Sequence, residues 1–122
     1  MLREFLRVLR PGAALVIETM HRDRLMVIFE ERGWENLEND AVLLEERRFD
    51  HLAGVVETDH ILAPADRPRR MVTYRLRVYT ATELARLLED VGFAEIDGYG
   101  DFDGGKLSRE SRLVMRARKP LA

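Results

Sequence analysis

The sequence predicts an α/β fold with an inserted antiparallel meander of strands. Three observations carry that expectation. Segments of helical periodicity alternate with apolar strand-like runs at both ends of the chain. The run at residues 13–17 is continuously apolar, the pattern of a strand covered on both faces. Between residues 42 and 79 the periodicity changes from helical to alternating.

In order, Leu2, Phe5, Leu6 and Leu9 fall at helical spacing with Arg3, Glu4 and Arg7 on the opposite side, predicting a helix over 2–9. It stops at Arg10-Pro11-Gly12, because proline disfavours helical geometry in the residue before it and glycine accepts a tight turn. The strand at 13–17 follows. Polarity returns at Glu18-Thr19-Met20-His21, where that strand emerges at its carboxyl end. Residues 22–32 read as a second helix with Leu25, Met26 and Phe29 inward, ending at Gly33-Trp34. Residues 1–34 thus form a helix-strand-helix segment.

Residues 35–79 read as an insertion containing three strands, 42–49, 55–62 and 71–79, joined by short connections rich in Gly, Pro and Asp. In the third, Val72, Tyr74, Leu76 and Val78 share one face and Thr73, Arg75 and Arg77 the other, predicting a sheet with one wet side. A helix over 80–92 is the most sharply bounded element. Thr80 and Glu83 form a capping box, Tyr79 can staple onto Leu84, and Leu84, Leu87, Leu88 and Val91 make the apolar stripe. Gly92 ends it and Phe93 folds back on Leu88. Strands at 94–99 and 112–118 close the segment 80–122, and the whole chain is expected to be one domain.

Composition narrows the function. With 122 residues, 46% of them hydrophobic, the chain can bury one core and not two. Twenty Lys+Arg against 22 Asp+Glu leave a formal charge of -2, which argues against nucleic acid and membrane surfaces as partners. The absence of cysteine removes disulfides, thiol nucleophiles and thiolate metal sites, and fits a cytoplasmic setting. Arg3, Glu4 and Arg7 interrupt any signal-peptide-like or membrane-spanning run at the start.

The stretch from Glu4 to Ile17, with Arg7-Val8-Leu9-Arg10-Pro11-Gly12 at its centre, resembles the helix, "RvLkPGG" turn and fifth strand of class I S-adenosylmethionine-dependent methyltransferases. Ala13 stands where that family usually has glycine. The stretch from Tyr79 to Phe93 is similar to the family's "YT..EL..LLe.aGF" helix, and the final strand pair closes near Lys119-Pro120. The resemblance covers nearly the whole chain but only the C-terminal half of the family's Rossmann-like domain. It implies that the strands at 13–17, 112–118 and 94–99 are neighbours, with 112–118 antiparallel between the other two. It also implies a strand-borne meander inserted on the substrate side.

The resemblance implies S-adenosylmethionine as cofactor and methyl transfer to O, N or C of a small-molecule substrate. In that chemistry the protein aligns the reactants and the cofactor brings the activated group. No glycine-rich turn lies between a strand and a helix, and Gly98, Gly100, Gly104 and Gly105 precede no helix signal, so no cofactor-binding residue is identifiable. Met1 opens directly into the helix before the fifth strand, as in a truncated product, a fragment or a split enzyme. The chain is therefore expected to be inactive alone. The alternative is a non-catalytic dimerisation or binding module, or one half of a two-chain enzyme. The strand at 13–17 is expected to leave an apolar edge open. A second copy, in a homodimer, or a chain supplying the missing half would cover it.

Ligands of open α/β sheets bind at the carboxyl ends of strands, which makes Glu18, Thr19, Met20 and His21 substrate-binding candidates. His21 is the one candidate for catalysis, as a base, although an exposed loop histidine is the plainer expectation. Tyr99 and Phe102, at another strand's end, are candidates for an aromatic pocket. Arg75 and Arg77, with Arg69 and Arg70, offer an anion clamp, but Glu45, Glu46, Glu57 and Asp59 on neighbouring strands favour cross-strand pairing instead. His51 in a turn and His60 in a strand lack companion ligands, so no metal site is expected. His21-Arg22-Asp23 and Asp101-Phe102-Asp103 begin like a kinase loop and a calcium loop and lack the remaining residues of either.

Overall fold

The computed structural model describes residues 1–122, which divide into two compact units: Met1–Val27 with Tyr79–Ala122, and Ile28–Val78. In the first, α1 (Leu2–Val8) ends where Leu9 turns extended ahead of Arg10-Pro11. Gly12, at φ 83°, makes the turn, and its N–H donates to the Lys119 carbonyl at 2.8 Å. β1 (Ala14–Thr19) follows, then α2 (Arg22–Ile28). After the second unit come α3 (Ala81–Val91), β6 (Ala94–Tyr99) and β7 (Leu113–Arg118).

The sheet of the first unit has the order β1-β7-β6, with β7 antiparallel to both neighbours. This is the arrangement the resemblance implies. Ala14 pairs with Arg118 and Thr19 with Leu113, so Leu15 and Ile17 stand beside Ala117 and Met115 on one face. That face is the core. Leu113, Met115 and Ala117 are buried with Leu84, Leu88 and Phe93, and Leu2, Leu6 and Leu9 pack against them. Each fully buried Leu of this kind is worth about 1.5–3 kcal/mol.

α3 forms as its sequence predicts. The Glu83 N–H donates to Thr80 Oγ1 and the Thr80 N–H to Glu83 Oε1, both at 3.1 Å. Gly92 adopts the left-handed conformation that lets the Phe93 N–H reach the Leu88 carbonyl at 3.0 Å, seating the Phe93 ring in the core.

β1 corrects one expectation. It is covered on one face only, and Val16 on the other is 51% exposed. The reason is that the residues of α1 and α3 that meet the sheet all pack into the core on the Leu15 and Ile17 side. β1 is also an edge strand, paired with β7 alone.

The second unit is an antiparallel sheet of order β2-β3-β4-β5, made of Arg32–Asn36, Val42–Asp50, Val55–Ala63 and Arg70–Arg77. Its last three strands and their meander match the expectation. β2 does not, because the second helix was expected to run to residue 32 and stops at Ile28. Contacts distant in sequence end it. Phe29 meets Phe49 edge-on at 6.4 Å, the Arg47 guanidinium donates to the Glu30 carbonyl at 3.0 Å, and the Arg47 N–H donates to the Glu31 carbonyl at 2.7 Å. These partners on β3 claim the backbone that a longer helix would have used for itself. A 3₁₀ turn, Glu38–Asp40, leads into β3.

The β3–β4 hairpin is fastened by Asp50, whose Oδ1 accepts from the N–H groups of Leu52 and Ala53 at 3.0 and 2.9 Å. β5 corrects the expectation of one wet side. Val72, Tyr74 and Leu76 are about half exposed, as are the residues on the other face, because no helix layer lies against this edge strand.

Candidate functional site

β1 delivers Glu18, Thr19, Met20 and His21 to its carboxyl end, as predicted. With Arg24, Leu25 and Arg112 they line an open groove of about 380 Å³. The residues do not present themselves as free side chains. Glu18 is ion-paired with Arg112. His21 is not an exposed loop histidine, since it is only 3% exposed.

Its burial follows from where the backbone is held. His21 forms a parallel bridge with Tyr79, and the Arg22 N–H donates to the Tyr79 carbonyl at 2.9 Å. The ring's Nδ1 lies 3.0 Å from the Ser111 carbonyl oxygen. A carbonyl only accepts, so Nδ1 carries the proton in that bond. Nε2 lies 3.5 Å from the Asp23 carboxylate. Through Nδ1, His21 thus fastens the exit of β1 to the segment entering β7.

Tyr99 and Phe102 come together in a second concavity of about 280 Å³, with Val16, Asp101, Gly104, Val114 and Arg116. Asp101 closes the loop beneath them by accepting from the N–H groups of Asp103 and Gly105 at 2.9 and 2.8 Å. The Arg116 guanidinium lies 5.6 Å from the Tyr99 ring centre and donates to Asp97 at 2.9 Å. The Asp97 hydrogen bond raises the Arg116 pKa above its ordinary value, fixing its charge.

The two concavities share a connecting residue. Arg112 pairs with Glu18 in the first and lies 5.3 Å from the centre of the Phe102 ring in the second. Sequence reasoning missed Arg112 and Arg116. Their placement four residues apart, with Arg116 opposite Asp97 and Arg112 just before β7, was the signal that could have found them.

The other candidates are structural. Arg75 pairs with Glu57 at 3.6 Å across β4–β5, and the Arg77 guanidinium donates to the Gly54 carbonyl at 3.3 Å. Arg48, which the sequence reading left out, binds two carboxylates on the neighbouring strand. It donates to Glu57 at 2.6 Å and to Asp59 at 2.9 Å. Asp59 also accepts from Thr73 Oγ1 at 2.7 Å, and the Arg48 and Thr73 hydrogen bonds hold its carboxyl below the usual range. His51 stacks edge-on against Phe49 and His60 against Tyr74. No group of three His, Cys, Asp or Glu side chains is placed to hold a metal ion.

The residues present do not form a nucleotide-type cofactor cradle. Met20-His21 connects β1 to α2, and Val78-Tyr79-Thr80 connects β5 to α3, both without glycine. The glycines of the β6–β7 connection lead into a strand instead. No helix is long and apolar enough to cross a membrane.

A sheet with an antiparallel strand at its centre, helices packed on one face and a second, strand-built unit make an α/β fold with methyltransferase structural neighbours. Solved structures bear this out at the level of fold. The CcbJ methyltransferase from Streptomyces caelestis superposes with a TM-score of 0.80 at 24% identity, over 98% of this chain and 48% of that one. An S-adenosylmethionine-dependent methyltransferase from Clostridium acetobutylicum ATCC 824 gives 0.78 at 12% identity, over 98% and 49%. The sugar N-methyltransferase KedS8 from Streptoalloteichus sp ATCC 53650 gives 0.61 at 17%, over 98% and 47%. The chain therefore spans about half the length of these methyltransferase structures. No protein-family model matches the sequence, and no curated protein is significantly similar to it.

Proposed function

We propose that the chain is the C-terminal, acceptor-side half of a class I S-adenosylmethionine-dependent methyltransferase acting on a small molecule, and that it is inactive alone. The single observation that carries this is the β1-β7-β6 order, with β7 antiparallel between its neighbours, joined to a groove at the carboxyl end of β1. In this reading Thr19, Met20 and Arg24 border the acceptor, while the Glu18–Arg112 pair and His21 hold the groove's shape. His21 is a positioning residue in this reading, because its ring is buried and its Nδ1 is held by the Ser111 carbonyl.

S-adenosylmethionine would supply an activated methyl group, and its binding residues would lie outside those described. A chain supplying the other half would pair with the free edge of β1. Two features support that partner: half-exposed Val16 on one side of the edge and, on the other, an apolar groove of about 160 Å³ that includes Leu2, Phe5 and Leu87. The competing reading is a non-catalytic binding module, favoured by the glycine-free connections. Calorimetric titration of the purified chain with S-adenosylmethionine tests the proposal. No heat beyond dilution is expected, and saturable binding would overturn the assignment of the cofactor site to other residues. Methyl transfer on adding a separately produced cofactor-binding half would decide for the split enzyme over the module.

A further inference from the structure

The groove at the carboxyl end of β1 holds a charge that the fold leaves uncompensated. Four of the side chains that line it are ionisable: Glu18, His21, Arg24 and Arg112. Glu18 and Arg112 neutralise each other as an ion pair. The His21 ring is buried, with Nδ1 held by the Ser111 carbonyl. Arg24 stands apart. It is exposed at the groove, and its guanidinium has no carboxylate or carbonyl partner. Asp23, the carboxylate beside it in sequence, lies instead 3.5 Å from His21 Nε2.

A free arginine on a convex surface would carry no argument, but this one borders a concavity of about 380 Å³, the size of a small-molecule site. The groove's other walls suit a small amphiphile. Met20 and Leu25 supply apolar surface, and Thr19 brings a hydroxyl that no other group engages. The positive charge is local, since the chain as a whole carries a formal charge of -2.

We propose that the acceptor molecule carries one oxyanion, a carboxylate or a phosphate, and that Arg24 is the specificity-determining residue that binds it. The inference rests on the reading of this groove as the acceptor site and adds the chemical class of the substrate. The guanidinium fork donates two parallel N–H groups to two oxygens of such an anion. Thr19 Oγ1 offers a further donor beside it. Because the Glu18–Arg112 pair is already neutral, one bound carboxylate leaves the whole groove neutral. An uncharged analogue forfeits the charge-assisted bonds, and a cationic one meets like charge, so the same residue selects and rejects.

Anion binding is measurable on the full chain without cofactor or partner. Amide proton–nitrogen correlation spectra would be followed as inorganic phosphate or acetate is added, with sodium chloride holding the ionic strength constant. Saturable shifts confined to residues 18–25 and Arg112 are expected, with a Kd of about 1–10 mM for so small a probe. Arg24→Gln should weaken binding at least about tenfold, the loss of a charge-assisted hydrogen bond. Arg24→Lys should recover only part of it, because a point charge lacks the fork. Tighter saturation by phosphate assigns a phosphate-bearing acceptor, and tighter saturation by acetate a carboxylate-bearing one. Shifts that never saturate overturn the proposal. So does saturation that is unchanged in Arg24→Gln, or that centres on other arginines such as Arg69 and Arg70. Failure of the methyl-transfer reading shows elsewhere, as no transfer on adding a cofactor-binding half while the anion still saturates the groove; that result overturns the acceptor role given to the anion.

Discussion

The two sheets of this chain are both antiparallel ladders, yet they are stabilised by different means. In β1-β7-β6 the helices α1 and α3 cover one face, and Leu113, Met115 and Ala117 on the middle strand are buried. In β2-β3-β4-β5 no strand is shielded to that degree. Val56 is its one buried strand residue, and β5 exposes nearly its whole length. The first sheet rests on apolar transfer, about 1.5–3 kcal/mol per large side chain. The second rests on cross-strand pairs, each worth about 0.2–1 kcal/mol. A ladder of hydrogen bonds is common to both, so the covering layer makes the difference.

The contrast can be broken most directly at Leu88, on the covering helix and 1% exposed. Leu88→Ala should cost about 2–5 kcal/mol in denaturant unfolding. A loss below about 1 kcal/mol would mean that the first sheet does not depend on its layer.

A smaller effect is expected at His21, where removing the ring leaves the Ser111 carbonyl without its donor. His21→Ala should cost about 1–3 kcal/mol. An unchanged midpoint would return His21 to the role of an exposed loop residue. Thr80→Ala, which removes the N-cap of α3, should cost about 1 kcal/mol. A helix signal unchanged by circular dichroism and an unchanged midpoint would show that packing alone holds α3.

The smallest effect belongs to the second sheet and sharpens the contrast through pH. The Asp59 carboxyl has a folded pKa below its unfolded one, chiefly through the Arg48 hydrogen bond. Its contribution is therefore present above the ordinary carboxylate range and lost as pH falls through the folded pKa. The stability difference between wild type and Asp59→Asn should be measurable near neutrality and vanish in acid. A difference that persists unchanged in acid would mean the network does not act through that carboxylate.

Much of the fold was legible because its signals are local. Thr80, Glu83 and Gly92 bound α3 through hydrogen bonds to residues within a turn, and Pro11-Gly12 ends the first helical segment in the same way. The three-strand meander was legible from alternation. β2 was not, since its strand geometry depends on pairing with β3 and on Phe49 and Arg47 taking contacts from Phe29, Glu30 and Glu31. Of the candidate site, position was readable and state was not. Glu18 through His21 lie where a strand-end rule places them, but the Glu18 partner is Arg112 and the His21 partner is Ser111, both far along the chain.

The sequence by itself determined the helices and strands other than β2 and the end of α2, where α3 begins and ends, and the family resemblance its motifs carry, because each depends on neighbours a few bonds away. The tertiary structure decided which apolar faces are covered, why Val16 and Trp34 stay open, and how His21 comes to be buried. Periodicity marks a side chain's direction along its own element. Burial depends on what the folded chain brings against that side, and the contacts that do so here join residues distant in sequence.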